Sequence, residues 1–213
     1  MAVRVMRTIK NSLGLLAIFL FILSFAIAFT INFTPMFAFD VDYFNIPART
    51  GLSKETILEN YRILIDYLNF PWIESLQMPD FPSSESGLFH FYEVKVLFLL
   101  DYAILFISAP LSFFFLRHKK RTNTLYELIQ PTRIMIILPI IALFFIFINF
   151  DQLFTTFHEV FFNNDAWLFD YRTDPIILAL PQEFFMHCFI LVFGLLEVGL
   201  WLIHRYTKRA LGL

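Results

Sequence analysis

The sequence is poor in cysteine, glycine and charged residues. Its 213 residues include one Cys and six Gly, and only 16% are Asp, Glu, Lys or Arg, whereas a soluble domain has about 25% charged residues. The single Cys188 excludes an intrachain disulfide and a cysteine-based metal site. The net charge of −2 gives no electrostatic reason to expect a nucleic acid partner. The uncharged residues are concentrated in long apolar runs, which predicts a membrane protein.

Four apolar segments have about the length that a helix needs to cross a hydrocarbon core of about 30 Å. They cover residues 13–33, 96–116, 134–150 and 184–203. The first follows Arg4, Arg7 and Lys10, as a signal peptide would. However, the apolar region of a signal peptide has only about 7–15 residues. We therefore predict an uncleaved first transmembrane helix.

The distribution of Lys and Arg predicts the orientation of these spans. Eleven of the 16 basic residues lie close to span ends, at the N-terminus, in the 117–133 loop and at the C-terminus. The positive-inside rule places all three regions in the cytoplasm. Sections 34–95 and 151–183 then lie outside and can pack together as a cap. The predicted fold is an all-α, single-domain membrane protein over residues 1–213, with four transmembrane helices, a small extracellular helical and loop cap, and both termini cytoplasmic.

One amphipathic helix is predicted within the first outer section, over residues 54–68. Ser53 precedes it as an N-cap and Pro71 follows its end. Its apolar residues recur on one face at helical spacing. This face needs a surface to cover, and we expect another part of the same protein to provide it.

Two of the five histidines lie on the predicted outer side, near spans and among aromatic residues. His90 lies in a Leu-Phe-His-Phe-Tyr run. His158 is predicted to lie on a helical extension of the third span, where Phe154, Phe161 and Phe162 would be at i−4, i+3 and i+4 from it. Histidine exchanges protons near neutral pH, so two confined histidines form a natural acid–base pair. Each could equally be a hydrogen-bonded interfacial histidine, and residue type alone leaves both interpretations open.

Other polar residues in the second outer section admit simpler explanations. Asp174 and Pro175 are predicted to be the N-cap and first residue of a short helix that ends at Pro181. Trp167 could anchor at the membrane interface or form a wall of the site. Glu159, Asp165 or Asp170 could help a histidine pair to bind a metal. However, no HExxH or comparable spacing is present, so we expect no metal and no other cofactor.

A resemblance to a known family accounts for this section as a whole. The runs HEVFFNNDAWLFD (158–170) and TDPIILALPQEFF (173–185), together with Glu93-Val94-Lys95 after His90, resemble the bacterial lipoprotein intramolecular transacylase family. The resemblance covers essentially the whole chain. Two positions depart from the expected pattern, Tyr171 in place of Pro and Gln182 in place of an acidic residue. These departures concern loop geometry and affect neither histidine.

The resemblance implies a definite reaction on a definite class of partner. A diacylglyceryl-modified lipoprotein transfers its own sn-2 acyl chain to the α-amino group of its N-terminal Cys, within the bacterial cytoplasmic membrane and at its outer face. The catalytic histidines of the family correspond to His90 and His158, with His158 the expected general base, although the roles could be exchanged. Asn164, Arg172 or backbone N–H groups are candidates to stabilise the oxyanion. Expected substrate contacts are Phe154, Phe161, Asn164, Trp167, Asp170 and Arg172.

Two alternatives to an enzyme are considered. The first is a non-enzymatic membrane scaffold or assembly factor that uses the aromatic cap as a partner surface. The second is a small transporter that uses the intramembrane carboxyls of Asp101 and Glu197. The transporter is disfavoured because the four spans contain no inverted repeat and no pair of broken helices. Membrane lipids are expected neighbours in every case.

Overall fold

The computed structural model describes residues 2–210 and residue 212, with side chains described from Val5 onwards. The side chain of Arg4, one of the predicted cytoplasmic cations, lies outside this part. Every regular element in the described residues is helical, which confirms the all-α class. The helices are α1 (Ala2–Asn32), α2 (Thr34–Tyr43), α3 (Ile46–Thr50), α4 (Lys54–Asn69), α5 (Glu85–Arg121), α6 (Ile129–Met135), α7 (Ile137–Ile148), α8 (Phe150–Phe161), α9 (Ile176–Ala179) and α10 (Gln182–Arg209), with a 3-10 helix at Leu125–Leu128.

Within the described residues, four helical segments are long and apolar enough to cross a membrane, as predicted. They are Val5–Asn32, Glu85–Arg121, Leu125–Ile148 and Gln182–Arg209. The second is much longer than its apolar run, because α5 begins at Glu85 and continues through Pro110. His90 therefore lies on the same continuous helix as the apolar residues of that span.

The third segment ends differently from the prediction. We expected His158 to lie on a helical extension of this span. Instead α7 ends at Ile148, and the non-helical backbone of Asn149 (φ −154°, ψ 74°) interrupts the helix. The Asn149 side chain accepts a hydrogen bond from the Gln152 backbone N–H at 3.4 Å and so caps a new helix, α8. His158 therefore lies on a short helix of its own.

The chain divides into two compact units, each described here by itself. The first comprises Met1–Ala28, Asp101–Phe145 and Ile190–Leu213. Its core contains Ile18 and Ile22 of α1 packed with Leu196 and Leu200 of α10. Gly199 permits this close approach, because a Cβ at that position would meet Ile22 Cγ2 at 2.3 Å.

The second unit comprises Phe29–Leu100 and Ile146–Phe189 and contains both candidate histidines. Its core is built on α4, which starts where predicted: the Ser53 hydroxyl accepts a hydrogen bond from the Thr56 N–H at 3.2 Å. The buried face of α4 meets α2, where the rings of Phe37 and Tyr61 stack with their centroids 3.8 Å apart. The amphipathic pattern of α4 thus covers a surface of its own protein, as expected.

Asp174 is structural, as predicted, but not as a helix cap. Helix α9 begins after Pro175, whose side chain makes no capping bond. The buried Asp174 carboxylate instead accepts hydrogen bonds from the Ser84 N–H at 2.8 Å and the Ser84 hydroxyl at 3.0 Å. Ser84 in turn accepts from the Gly87 N–H at 3.0 Å and so caps α5. Asp174 therefore fixes the start of the helix that carries His90.

Candidate active site

The two predicted catalytic histidines lie next to each other in the second unit. The ring centroids of His90 and His158 are 5.8 Å apart and their planes are inclined by 34°. His90, on α5, is only 7% exposed. His158 lies on α8 and is half-buried. The two side chains thus meet from distant parts of the sequence, away from bulk water.

A backbone hydrogen bond fixes the tautomer of the neutral His158 ring. Its Nδ1 lies 2.8 Å from the carbonyl oxygen of Phe154, one turn earlier on α8. A carbonyl oxygen can only accept, so Nδ1 carries the hydrogen and Nε2 of the neutral ring keeps its lone pair. Burial lowers the pKa of His158 below the ordinary value of an imidazole, while the bond to Phe154 opposes this shift. Burial therefore favours the neutral ring, whose Nε2 can accept a proton.

Aromatic rings enclose the pair. The Trp167 ring stacks on His158 with centroids 4.7 Å apart, so of the two interpretations of Trp167 the contact with the histidines favours a wall of the candidate site. Phe154 lies 4.3 Å from the His158 ring. Phe162 contacts both histidines, at 4.7 Å from His90 and 5.6 Å from His158. We call these residues, together with Phe169 at 5.5 Å from His90, the histidine cluster.

A side-chain hydrogen bond joins the loop that carries Trp167 to α5. Asn164 Nδ2 donates to Glu93 Oε1 at 2.9 Å, and Asn164 Oδ1 accepts from the Ala166 N–H at 2.9 Å. Glu93 lies one helical turn after His90, so this bond holds the loop beside the histidine cluster. No role of Glu93 was predicted from the sequence, and only its place in the Glu-Val-Lys motif indicated it.

Lys95, the last residue of that motif, is also buried and bonded. Its Nζ donates to the backbone carbonyl of Ile73 at 2.5 Å and lies 4.3 Å from the centroid of the Tyr67 ring. A buried ammonium needs such partners, since its desolvation is otherwise costly. Glu93 and Lys95 therefore fasten two different loops of the second unit to one helix.

Besides Asn164, three of the predicted substrate contacts lie outside the histidine cluster. Phe161 packs against Phe157, with centroids 4.6 Å apart, and is 52% exposed. Asp170 and Arg172 form an exposed ion pair, in which Arg172 Nε lies 3.0 Å from both carboxylate oxygens. The hydrogen bonds from Arg172 lower the pKa of Asp170 to about 2. These bonds give Asp170 the local role that the sequence did not reveal, and substrate contact by the three residues stays a prediction.

A third histidine has a carboxylate partner that the sequence did not indicate. His187 Nδ1 lies 2.8 Å from Asp40 Oδ1, and Asp40 is fully buried. Burial raises the pKa of Asp40, and the hydrogen bond from His187 opposes that shift. The pair joins α2 to α10 within the second unit. Sequence spacing could not find it, because the two residues are far apart along the chain.

The acidic residues considered as metal ligands do not gather around a histidine. Within the described part of the chain, no group of three or more His, Cys, Asp or Glu side chains is arranged to hold a metal ion. The expectation that the protein needs no metal therefore stays a prediction for a chelator experiment.

Comparisons with known proteins agree with the resemblance. The model of the family "Lipoprotein intramolecular transacylase Lit" matches residues 12–185. The in meso structure of the Bacillus cereus membrane integral lipoprotein intramolecular transacylase Lit is similar, with a TM-score of 0.92 and 28% identity over 97% of this chain and 96% of that chain. No curated protein matches this chain.

Two structures of variants of the Bacillus cereus protein are similar as well. Each has one histidine replaced, by arginine or by alanine, and each has a TM-score of 0.85 and 27% identity over 97% of this chain. The matches cover 92% of the arginine variant and 94% of the alanine variant. The family match decides against the scaffold and transporter alternatives. The chain belongs to the lipoprotein intramolecular transacylase family of multi-pass integral membrane acyltransferases.

Proposed function

We propose that this chain moves the sn-2 acyl chain of a diacylglyceryl-modified lipoprotein to the α-amino group of its N-terminal Cys, with His90 and His158 as the acid–base pair. The product is an N-acylated lyso-form lipoprotein. The observation that carries the proposal is the hydrogen bond from His158 Nδ1 to the Phe154 carbonyl. It leaves Nε2 of a neutral, half-buried ring free to accept a proton, beside a second buried histidine.

The reaction needs one proton removed and one returned. The amine nitrogen forms a bond to the ester carbonyl carbon while His158 Nε2 takes up a proton from that nitrogen. The bond between this carbon and the glycerol oxygen then breaks, and the departing oxygen receives a proton from a protonated histidine. His90 acts as this acid or relays the proton from His158. The protons balance without a further reactant.

The nucleophile and the ester belong to one substrate molecule, so the enzyme gains most by holding them in an attack geometry. Well-oriented intramolecular reactions reach effective molarities of about 10⁵ M or more. The rings of Phe154, Phe162 and Trp167 supply rigid apolar walls for the glyceryl and acyl groups. Confinement by these walls also keeps water, a competing nucleophile, away from the ester.

Two polar groups near the histidines remain available to the substrate. Asn164 uses one N–H of its amide to reach Glu93, and the second can donate to the oxyanion. His90 Nδ1 is buried and has no hydrogen-bonding partner among the described residues. Buried polar atoms are seldom left unpaired, so a ligand is the natural partner for this nitrogen. Phe161, Asp170 and Arg172 are proposed to contact the lipoprotein at the rim of the site.

We further propose that the histidine cluster faces the outer side of the bacterial cytoplasmic membrane, within a cap formed by sections 34–95 and 151–183, with both termini cytoplasmic. The clustering of 11 of 16 basic residues near three span ends supports this orientation. A membrane-impermeant maleimide tests it in a Cys188→Ala background. It should label Asn163→Cys in intact cells, but Thr122→Cys only after permeabilisation. The reverse pattern would overturn the orientation.

The deciding experiment uses a host that makes diacylglyceryl lipoproteins but no N-acylated forms. Expression of the wild-type chain should convert a reporter lipoprotein to the lyso form, detected by mass spectrometry of its N-terminal peptide. His90→Ala and His158→Ala should each leave the reporter diacylated while the protein remains folded in the membrane. An unmodified reporter beside well-expressed wild-type protein would refute the proposed reaction.

A further inference from the structure

The first unit contains a cavity of about 730 Å³ that uses no residue of the histidine cluster. The end of α5, the turn that follows it and the end of α10 form its walls. Three cations line it, Lys120, Arg205 and Arg209. Trp201 and Tyr206 also line it and are 49% and 40% exposed. The cavity therefore combines positive charge with exposed aromatic rings.

No acidic side chain in the described part of the chain forms an ion pair with these three cations. None of the lining residues is acidic. Among the described residues, no ion pair includes Lys120, Arg205 or Arg209. Glu127, in the 3-10 helix that follows α5, already has two basic partners. Arg7 contacts its Oε1, and Lys119 Nζ lies 2.5 Å from its Oε2. Three unpaired cations that share one cavity favour an anionic ligand.

The aromatic and apolar lining indicates what kind of anion fits. The Arg205 guanidinium lies 5.3 Å from the centroid of the Trp201 ring, which keeps its charge at the cavity wall. Leu202, 54% exposed, extends the apolar surface from Trp201 along α10. Trp and Tyr at the end of a membrane span occupy the headgroup level of a bilayer. The ligand must therefore combine a phosphate-like anion with hydrocarbon chains.

We propose that this cavity binds an anionic phospholipid of the membrane. Its phosphate accepts hydrogen bonds from Lys120, Arg205 and Arg209, and its acyl chains lie along Trp201 and Leu202. Basic pockets between transmembrane helices bind anionic lipid headgroups in this way. Charge complementarity selects the occupant, because a zwitterionic lipid would bring its own cation into a cavity that already holds three.

Native mass spectrometry of the purified full-length protein tests the proposal. Wild-type protein is titrated with phosphatidylglycerol and, separately, with phosphatidylcholine of the same acyl chains. The anionic lipid should bind at least about tenfold more tightly, and added salt should weaken its binding. Equal affinity for the two lipids would overturn the proposal, and this comparison needs no variant. Inorganic phosphate alone should not compete at millimolar concentration; full competition would show that the cavity binds free phosphate instead.

A matched pair of variants locates the site. The triple variant Lys120→Gln/Arg205→Gln/Arg209→Gln should lose the preference for phosphatidylglycerol. The control Arg117→Gln/Arg121→Gln/Lys208→Gln removes the same charge from exposed positions of the same helices that do not line the cavity. It should keep the preference. If both variants lose it equally, the effect comes from net charge and the cavity is not the site.

Discussion

His158 donates its Nδ1–H to the Phe154 carbonyl oxygen at 2.8 Å, within a single turn of α8. This bond decides which nitrogen of the neutral ring can accept a proton. It also fixes the orientation of the His158 ring relative to α8. The ring therefore lies beside His90 although its orienting partner is not a carboxylate. The usual orienting partner of a catalytic histidine is a side chain, whereas in the proposed mechanism the backbone would perform that function for His158.

Replacement of His158 by Asn tests proton transfer separately from the hydrogen bond to the Phe154 carbonyl. The Asn amide can still donate to the Phe154 carbonyl, but nothing replaces Nε2. Acyl transfer to the reporter lipoprotein should therefore slow by about 10²-fold or more, the usual contribution of a general base, while the melting temperature in detergent changes little. Val160→Ala, at a 71% exposed position of the same helix, is the control and should keep wild-type activity. Unimpaired transfer by His158→Asn would remove Nε2 from the mechanism.

The pKa of His158 should respond to loss of its stacked neighbour. Burial lowers this pKa, so Trp167→Ala, which admits water to the ring, should raise it toward the ordinary value of about 6.5. NMR titration of ring-labelled histidine in micelles measures the change. Leu168→Ala, at the adjacent and exposed position, should leave the titration unchanged. An unaltered pKa in Trp167→Ala would show that the indole does not desolvate the ring.

The same pKa shift predicts how stability depends on pH. Because the folded-state pKa of His158 is depressed, the unfolded chain binds the proton more readily. The stability that the neutral ring contributes is complete above about pH 6.5 and is lost as the pH falls toward the folded-state pKa. The melting temperature should therefore fall less steeply on acidification in His158→Gln than in wild type. Parallel curves for the two proteins would contradict this assignment.

The hydrogen bond between Asn164 and Glu93 should be measurable as a coupling free energy between the two side chains. Asn164→Ala leaves the Glu93 carboxylate without its donor and should cost about 1–3 kcal/mol of unfolding free energy. Asn164→Asp should cost more, because it places two carboxylates together. The exchanged pair Glu93→Gln/Asn164→Asp restores one donor and one acceptor and should recover most of the loss. Additive losses in a double-mutant cycle would show that the two side chains do not interact.

Two glycine substitutions test the connection between Asp174 and α5. A Cβ at Gly87 would meet Asp174 Oδ1 at 2.1 Å, whereas nothing lies within 4 Å of a Cβ at Gly194. Gly87→Ala should lower the melting temperature by displacing Asp174 from Ser84. Gly194→Ala should leave it unchanged or raise it, since Ala favours a helix by about 1 kcal/mol over Gly. Equal melting temperatures for the two variants would show that the contact tolerates displacement.

A chelator should have no effect on acyl transfer. The proposed proton balance uses two histidines and no metal, and the described residues include no cluster of metal ligands. Incubation of the purified protein with EDTA, followed by the reporter assay, checks this expectation. Loss of activity that Zn²⁺ or another divalent ion restores would require a metal in the mechanism.

The features that the sequence predicted well are local or compositional. The four spans were predicted from long apolar runs. The start of α4 was predicted from Ser53, whose hydroxyl accepts a hydrogen bond from the N–H of Thr56, three residues further along the chain. By contrast, α2 and α3 were not predicted, because each is short and depends on packing within the second unit. The interruption at Asn149 was also missed, since an apolar run shows no sign of a break.

The histidine cluster was predicted in outline but not in detail. His90 and His158 entered one hypothesis because both were predicted to lie on the outer side and near a span, and because of the family resemblance. In the structure their ring centroids are 5.8 Å apart. Phe169 was missed, because nothing in its local sequence indicates which ring it meets. Asp174 was assigned to the helix beside it in sequence, whereas its partner Ser84 is 90 positions away. Contacts of this kind depend on tertiary structure, which local patterns do not encode.

The hydrogen bond between Ser84 and Asp174 also determines when, during synthesis, the start of α5 can be anchored. α5 emerges from the ribosome with His90 already in place along the helix, yet the residue that anchors its start is translated 90 codons after Ser84. His158 emerges in the same interval. A nascent chain released or stalled before residue 174 therefore lacks that anchor. Products of translation that are truncated before residue 174 should thus be unable to carry out the proposed acyl transfer.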